Sequence, residues 1–264
     1  MMSYDYIKAV NFSTLKYLAT SPLLYRWMID HPAARKPAYV IGGAIHCAVL
    51  EPGQFDSRYA VFDGTRRGKA WDEWQLENPG KESLKPNELA SIQAAAKAVH
   101  GHRVAAGVLL GGRVEEPVTW IDSATGLACK GRLDYIRPDC VVDLKSARDV
   151  APRRFARAAA EYLYHGQLAW YHDGAIAAGK VPANAQPPYC VAVQSDEPYD
   201  VAVYQINLID LDVGRQLCRD LLRKLMECSA ADYWPGVAPD LLALDLPAWA
   251  PGSEIETTNT EEAF

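Results

Sequence analysis

Three residues within a short stretch could together do metal-assisted chemistry on a phosphate: Asp134, Asp143 and Lys145. Residues two apart on a strand project to the same face, so Asp143 and Lys145 emerge together while Leu144 faces the other way. Between the two acids lies the turn signal "PD" at 138–139. If those two residues alone form the hairpin loop, Arg137 pairs with Cys140 and Asp134 falls opposite Asp143, with Cβ atoms ~4.5–5.5 Å apart. A longer or bulged turn would shift that pairing by one residue. Two carboxylates so close repel, and a divalent cation removes the conflict. Hard oxygen donors suit Mg²⁺ or Mn²⁺. A Lys amine beside them can position a water and offset charge on a phosphate, which completes the equipment for metal-assisted phosphodiester hydrolysis. Asp143-Leu144-Lys145 is the only D-x-K or E-x-K triplet in the sequence.

The triplet needs a sheet to hold it. Segments 113–121, 127–137 and 140–146 are rich in β-branched and apolar residues and are separated by "DSATG" and "PD", which predicts a three-stranded meander. Ahead of it, Ser13 reads as a helix N-cap, Pro22 opens a second helix, and 38–51 is an apolar helix ending before Pro52. Residues 52–85 read as a long loop with one short helix around "AWDEWQLE", and Pro86 starts a strong helix. After the meander come two helices, two strands near 188–195 and 200–208, and a last helix over 212–228. The expected fold class is mixed α/β: a central mixed β-sheet flanked by helices.

The 264 residues suit one domain over 1–250, with 49% hydrophobic and 23% charged residues. No apolar run approaches the ~20 residues of a membrane span. The six scattered cysteines, without a C-x-x-C pair, read as reduced thiols, and the expected location is cytoplasmic. The tail 251–264 is acidic and reads as disordered or as a partner-binding end. A net charge of −6 argues against a protein that coats nucleic acid, but not against an enzyme with a local basic groove.

Three segments, "GGAIHCAVLEP" (42–52), "CKGRLDYIRPDCVVDLKSARD" (129–149) and "YHGQLAWYHDG" (164–174), occur in the order and at the spacing of one family. Together they resemble the exonuclease VIII nuclease domain of the PD-(D/E)xK superfamily. They are more distantly similar to phage lambda exonuclease and the RecB-type nucleases. The resemblance implies a restriction-endonuclease-like core and a metal-dependent exonuclease acting on duplex DNA ends from the 5′ side in phage or prophage recombination. It implies Mg²⁺ or Mn²⁺ as cofactor, a ring-shaped homo-oligomer and a single-strand annealing protein as partner.

Residue by residue, the resemblance makes His46 a metal-site histidine, Glu115 (with Glu116 as competitor) an acid on the first meander strand, and Asp134 and Asp143 the central acids. The Leu144 carbonyl becomes a further oxygen ligand, and Gln167 and Tyr171 match a Q-x-x-x-Y element on one helix face. Leu-Asp stands at 133–134 where the superfamily name has Pro-Asp. For DNA, Arg148, Arg153, Arg154 and Arg157 follow the metal strand, Arg66, Arg67 and Lys69 sit in the long loop, and Ser13 matches an N-terminal phosphate contact. Two alternatives remain: a catalytically inactive relative that binds DNA or a partner, and an iron–sulfur nuclease of the RecB/Cas4 type. Dispersed Cys190, Cys218 and Cys228 argue against the second.

Overall fold

The computed structural model describes residues 8–31, 37–238 and 240–246; the acidic tail and the reading placed on it lie outside them. The main sheet has the order β3-β4-β5-β6-β7: β3 Arg113–Ile121, β4 Ala128–Ile136, β5 Val141–Ala147, β6 Tyr189–Gln194 and β7 Val201–Gln205. β5 and β6 are parallel and every other pair is antiparallel. A parallel pair needs a long crossover. Here it contains α8 (Pro152–Glu161) and α9 (Tyr164–Ala177). The apolar runs in β5 and β6 are what strands covered on both faces require.

One face is covered by α3 (Pro37–Leu50) and α6 (Pro86–Gly101), where Ile45, Ile92 and Val99 pack with Val142, Leu144, Val191 and Val193. The other face is covered by α9, whose Ala175 packs with Leu133, Ile136 and Val141. The long α10 (Leu208–Ala231) lies along α9. It starts a turn earlier than its apolar spacing indicates, because Asn207 caps it by accepting from the Asp210 N–H.

Two expectations are corrected. α1 (Phe12–Leu15) is capped by Asn11, whose side chain accepts from Thr14 N at 3.0 Å; Ser13 lies inside the turn and donates to that same Asn11 oxygen. The region 52–85 is not one loop. It holds the expected short helix, α5 (Lys69–Glu77), which takes in Lys69, and beyond it α4 (Phe55–Arg58), β1 (Tyr59–Val61) and β2 (Glu82–Leu84), with β1 and β2 paired in parallel as a separate two-stranded sheet. Strands of three residues are too short for alternation to register in the sequence.

Candidate active site

The β4–β5 hairpin turns tightly, as its two-residue signal suggests. Arg137 N donates to Cys140 O at 2.9 Å, and the pairs Ile136–Val141 and Tyr135–Val142 continue the register. One step further that register sets Asp134 opposite Asp143, but the backbone ladder has already ended. The Leu144 N–H donates instead to Asp134 Oδ2 at 2.9 Å, so a carboxylate stands where a carbonyl would continue the sheet. Alternation also breaks at this point. Leu133 and Ile136, three residues apart, pack on the α9 side, while Tyr135 packs with the α3 side. The strands therefore part at the acids, which opens the sheet locally while apolar contacts hold it on both faces.

β3 has the matching irregularity. Val114 pairs with Tyr135 and Glu116 with Leu133, so Glu115 falls opposite Asp134 with a left-handed φ of 50°. A non-glycine residue there carries strain of about 1–3 kcal/mol, the kind that clusters at functional sites. Glu115 makes an ion pair with Arg132 at 3.1 Å, and its pKa is raised by burial and by the Asp134 charge. Glu116 is occupied elsewhere, by Lys180 at 2.7 Å and Arg113 at 3.3 Å. Of the two competing glutamates, Glu115 is the one that feels the central acids.

Asp143 is 1% exposed. Lys145 Nζ lies 2.5 Å from its Oδ2 as an ion pair, yet neither Asp143 oxygen has a hydrogen-bond donor in good geometry. Burial pushes the Asp143 carboxyl up to about 6, against the pull of Lys145 and with the push of Asp134. Asp134 is raised by burial as well. Burial opposes the Lys145 ammonium too, but Asp143 and Asp134 outweigh it and raise its pKa, so the amine stays charged. His46 on α3 places Nδ1 3.7 Å from Asp134 Oδ2; burial and the Lys145 charge lower it to about 4, which makes it a neutral imidazole near pH 7. Close approach of α3 to β5 depends on Gly42, where a Cβ would come within 3.1 Å of Ser146 Oγ.

From the other face, α9 brings Tyr171 toward the acids. Its hydroxyl pKa is raised by burial and by the Asp134 and Asp143 charges, and it accepts from Gln167 Nε2 at 3.1 Å. Gly131 on β4 leaves room for the Tyr171 ring, which a Cβ would approach to 3.2 Å. Two further residues complete the surroundings and were not singled out from sequence. Tyr164 offers its ring face to Lys145 Nζ at 5.0 Å from the centroid, and Lys16, half-buried, has its pKa lowered by burial and by the Lys145 charge. Tyr164 was findable, since 164, 167 and 171 lie on one helix face. Lys16 sits in an ordinary helical run and gave no such signal.

The structure thus gathers His46, Glu115, Asp134, Asp143, Lys145 and Tyr171 around the parted strands, with Gln167 joined through Tyr171. Among the described residues, no group of three or more His, Cys, Asp or Glu side chains is drawn close enough to enclose a metal ion. The donor chemistry nonetheless fits a hard divalent cation: two opposed acids, one of them 1% exposed, and a neutral imidazole beside them.

The expected DNA contacts are more dispersed. Arg148, Arg153 and Arg157 are exposed, the last two on α8, and Arg154 is tied to Asp149 at 2.7 Å. Arg66 is turned into the 52–85 region, where it donates to Ser83 O at 2.8 Å and pairs with Glu88 at 3.3 Å. Arg67 is exposed, and Lys69 pairs with Glu73 at 3.5 Å with 91% of its side chain exposed. Ser13 is exposed and engaged with Asn11. All six cysteines are buried free thiols, and no helix among the described residues is long and apolar enough to cross a membrane.

A mixed five-stranded sheet with helices on both faces, parted at a D…D-x-K cluster, defines a PD-(D/E)xK-type domain. The chain belongs to the family described as "PDDEXK-like domain of unknown function (DUF3799)", whose profile matches residues 11–241. In fold it is similar to the crystal structure of a Eubacterium rectale protein named as a candidate exonuclease, with a TM-score of 0.64 and 12% identity over 97% of this chain and 99% of that one. A second structure, of SSO0001, aligns with a TM-score of 0.30 and 16% identity over 80% and 85% of the two chains, too weak a likeness to bear on the fold. No curated protein matches the chain.

Proposed function

We propose that this protein is a divalent-metal-dependent nuclease that hydrolyses phosphodiester bonds at duplex DNA ends, working from the 5′ side as in exonuclease VIII. The observation that carries the reading is the buried Asp143 carboxylate. It is 1% exposed and lies opposite Asp134 on parted strands, with Lys145 Nζ 2.5 Å from its Oδ2 as ion-pair partner. Two buried carboxylates facing each other repel, and the single Lys145 ammonium offsets only one of their charges, which leaves the site short of positive charge that a divalent cation would supply.

Asp134, Asp143 and the Leu144 carbonyl would hold Mg²⁺ or Mn²⁺, with Glu115 and His46 at its margin. When bound, the cation would supply Lewis-acid activation of water and neutralise charge on the phosphate. The chain's own residues do the rest. The Lys145 ammonium, charged and with its direction fixed by the Tyr164 ring, offsets charge on the scissile phosphate and hydrogen-bonds the attacking water. His46, neutral, can donate or accept one hydrogen bond without adding charge. Tyr171, held as a phenol by burial and by the Asp134 and Asp143 charges, keeps its O–H as a donor for the substrate while Gln167 donates to its oxygen. The exposed arginines of α8 contact the phosphate backbone without reading sequence. Cytoplasmic action beside an annealing protein, in a homo-oligomeric ring, completes the proposal.

The test is digestion of linear and covalently closed circular duplex DNA, each with Mg²⁺ and with excess chelator. The expected result is loss of the linear substrate from 5′-labelled ends, a resistant circle, and no reaction with chelator. Cleavage of both substrates at internal sites would replace the exonuclease reading with an endonuclease. Intact DNA under every divalent cation would favour an inactive DNA-binding relative.

A further inference from the structure

The 52–85 region builds a pocket that the proposed chemistry does not use. Trp71 and Trp74, three residues apart on α5, stack with centroids 5.0 Å apart and planes 11° from parallel. Phe62, buried, packs against both rings. Trp74 is pinned by its Nε1–H, which donates to Val61 O at 2.9 Å. The indoles help to line a cavity of about 360 Å³, bounded across from them by Val40 and Ile41 of α3 and by Arg66. That volume falls within the range of small-molecule sites, ~300–1,000 Å³.

The lining is chemically mixed. Arg66 and Lys81 are offset by Glu82 and Glu88, so the pocket carries little net charge and does not suit a phosphate. It presents flat aromatic surface together with the amides of Gln75 and Asn78, which both donate and accept. Asn78 spends one amide donor on Trp74 O, which fixes the side chain and leaves its carbonyl oxygen for a ligand. A planar, neutral, hydrogen-bonding ring would meet complementary groups there.

Position relates this pocket to the acid cluster. Ile41 lines the pocket and His46, five residues on along α3, faces Asp134. Residues five apart are roughly 8 Å apart along the helix and about 140° apart around it, so the pocket and the acid cluster meet different faces of α3. A base inside a duplex is stacked on both faces and cannot enter a cavity; an unpaired one can.

We propose that the Trp71–Trp74 pocket binds an unpaired nucleobase of single-stranded DNA, across α3 from the nuclease centre. The proposal rests on the nuclease reading for its choice of ligand. Indole rings give the stacking surface, and Gln75 and Asn78 hold the base edge. Because every base has a π-face, the site should tolerate any sequence.

The experiment is fluorescence anisotropy of a labelled oligo(dT) and of a blunt DNA hairpin, titrated with full-length protein in chelator, so that binding is read without cleavage. Trp71→Ala should weaken oligo(dT) binding about tenfold, the size of one lost base stack. Trp71→Phe should recover most of it. Gln75→Ala, on the exposed rim, should weaken it by a smaller factor, and hairpin binding should change little in all three. Thermal melts identify a variant that has lost its fold, in which case Trp71→Phe and Gln75→Ala carry the test. Oligo(dT) affinity unchanged in all folded variants would overturn the proposal, as would equal losses for hairpin and single strand. A parallel Mg²⁺ digestion of linear duplex separates the two readings. Cleavage with Trp71-independent strand binding leaves the nuclease standing and removes the pocket; Trp71-dependent binding without cleavage does the reverse.

Discussion

The two β-systems of this molecule solve opposite problems. The five-stranded sheet buries charge: Asp143, 1% exposed, and the Lys145 ammonium sit between apolar layers on both faces. The two-stranded β1–β2 sheet does the reverse and leaves aromatic rings partly in solvent beside neutral amides. Buried charge is tolerated only where the surrounding backbone is over-determined, and β4–β5 meets that condition through a tight turn below the acids and apolar strands around them. A surface that captures a flexible strand has no such requirement, and an excursion stitched by three-residue strands is enough. On the proposed reading, the chemistry belongs to the five-stranded sheet and strand capture to the region around the two-stranded one.

The largest expected effect that would break this division is at Lys145. Lys145→Ala should lower the cleavage rate by about a hundredfold or more, as expected when a group acting on developing charge is removed. Far-ultraviolet circular dichroism should remain that of the wild type. Near-normal turnover would mean that the D-x-K pattern is accidental and that charge is buried here for another reason.

Next in size is the contrast between neighbouring glutamates. Glu115→Gln should slow cleavage by roughly tenfold or more, because its carboxylate feels Asp134. Glu116→Gln should leave the rate unchanged, since it loses only partly exposed ion pairs with Lys180 and Arg113, worth about 0–1 kcal/mol. Equal effects on single-turnover rates would put the β3 irregularity outside the active site.

A pH experiment on metal-free protein sharpens the account of buried charge. Asp143, raised to about 6, binds its proton more tightly folded than unfolded, so its contribution to stability falls as pH rises from about 4 to 6. His46, lowered to about 4, binds its proton less tightly when folded, so its contribution rises from about pH 4 to 6.5. Urea denaturation should therefore show Asp143→Asn gaining stability across that window relative to wild type and His46→Gln losing it. Slopes of the same sign in both variants would mean that the two groups do not share one buried environment.

The smallest effect belongs to the exposed arginines. Replacing Arg153 or Arg157 should reduce the log–log salt slope of duplex binding by about one unit, with no change in sequence preference. Slopes unchanged by both substitutions would place the duplex on another surface.

Much of the rigid region was legible in the sequence. The turn at Pro138-Asp139 fixed the register that opposes Asp134 to Asp143, and β-branched composition marked the strands. The break in alternation at Asp134 was not legible, because it depends on Glu115 adopting a left-handed conformation on a neighbouring strand. Lys16 was missed for a similar reason: only the tertiary fold carries an N-terminal helix to the meander. In the 52–85 region Gly and Pro marked irregular chain correctly, but β1 and β2 are held by pairing across more than twenty residues, which no local pattern records. The loop cations were read as free phosphate contacts, yet Arg66 is committed to Ser83 and Glu88. Cation type is visible in a sequence and cation pairing is not.

The central claim is that Asp143 is buried in order to hold a divalent cation, with Lys145 beside it for the phosphate. Calorimetric titration of Mn²⁺ into wild type, Asp143→Asn and Lys145→Ala, with cleavage of linear duplex followed in the same samples, tests it most directly. The account predicts that wild type binds and cleaves, that Asp143→Asn loses both, and that Lys145→Ala still binds Mn²⁺ but does not cleave. Mn²⁺ binding by Asp143→Asn equal to that of wild type, or wild-type cleavage that persists in excess chelator, would contradict it.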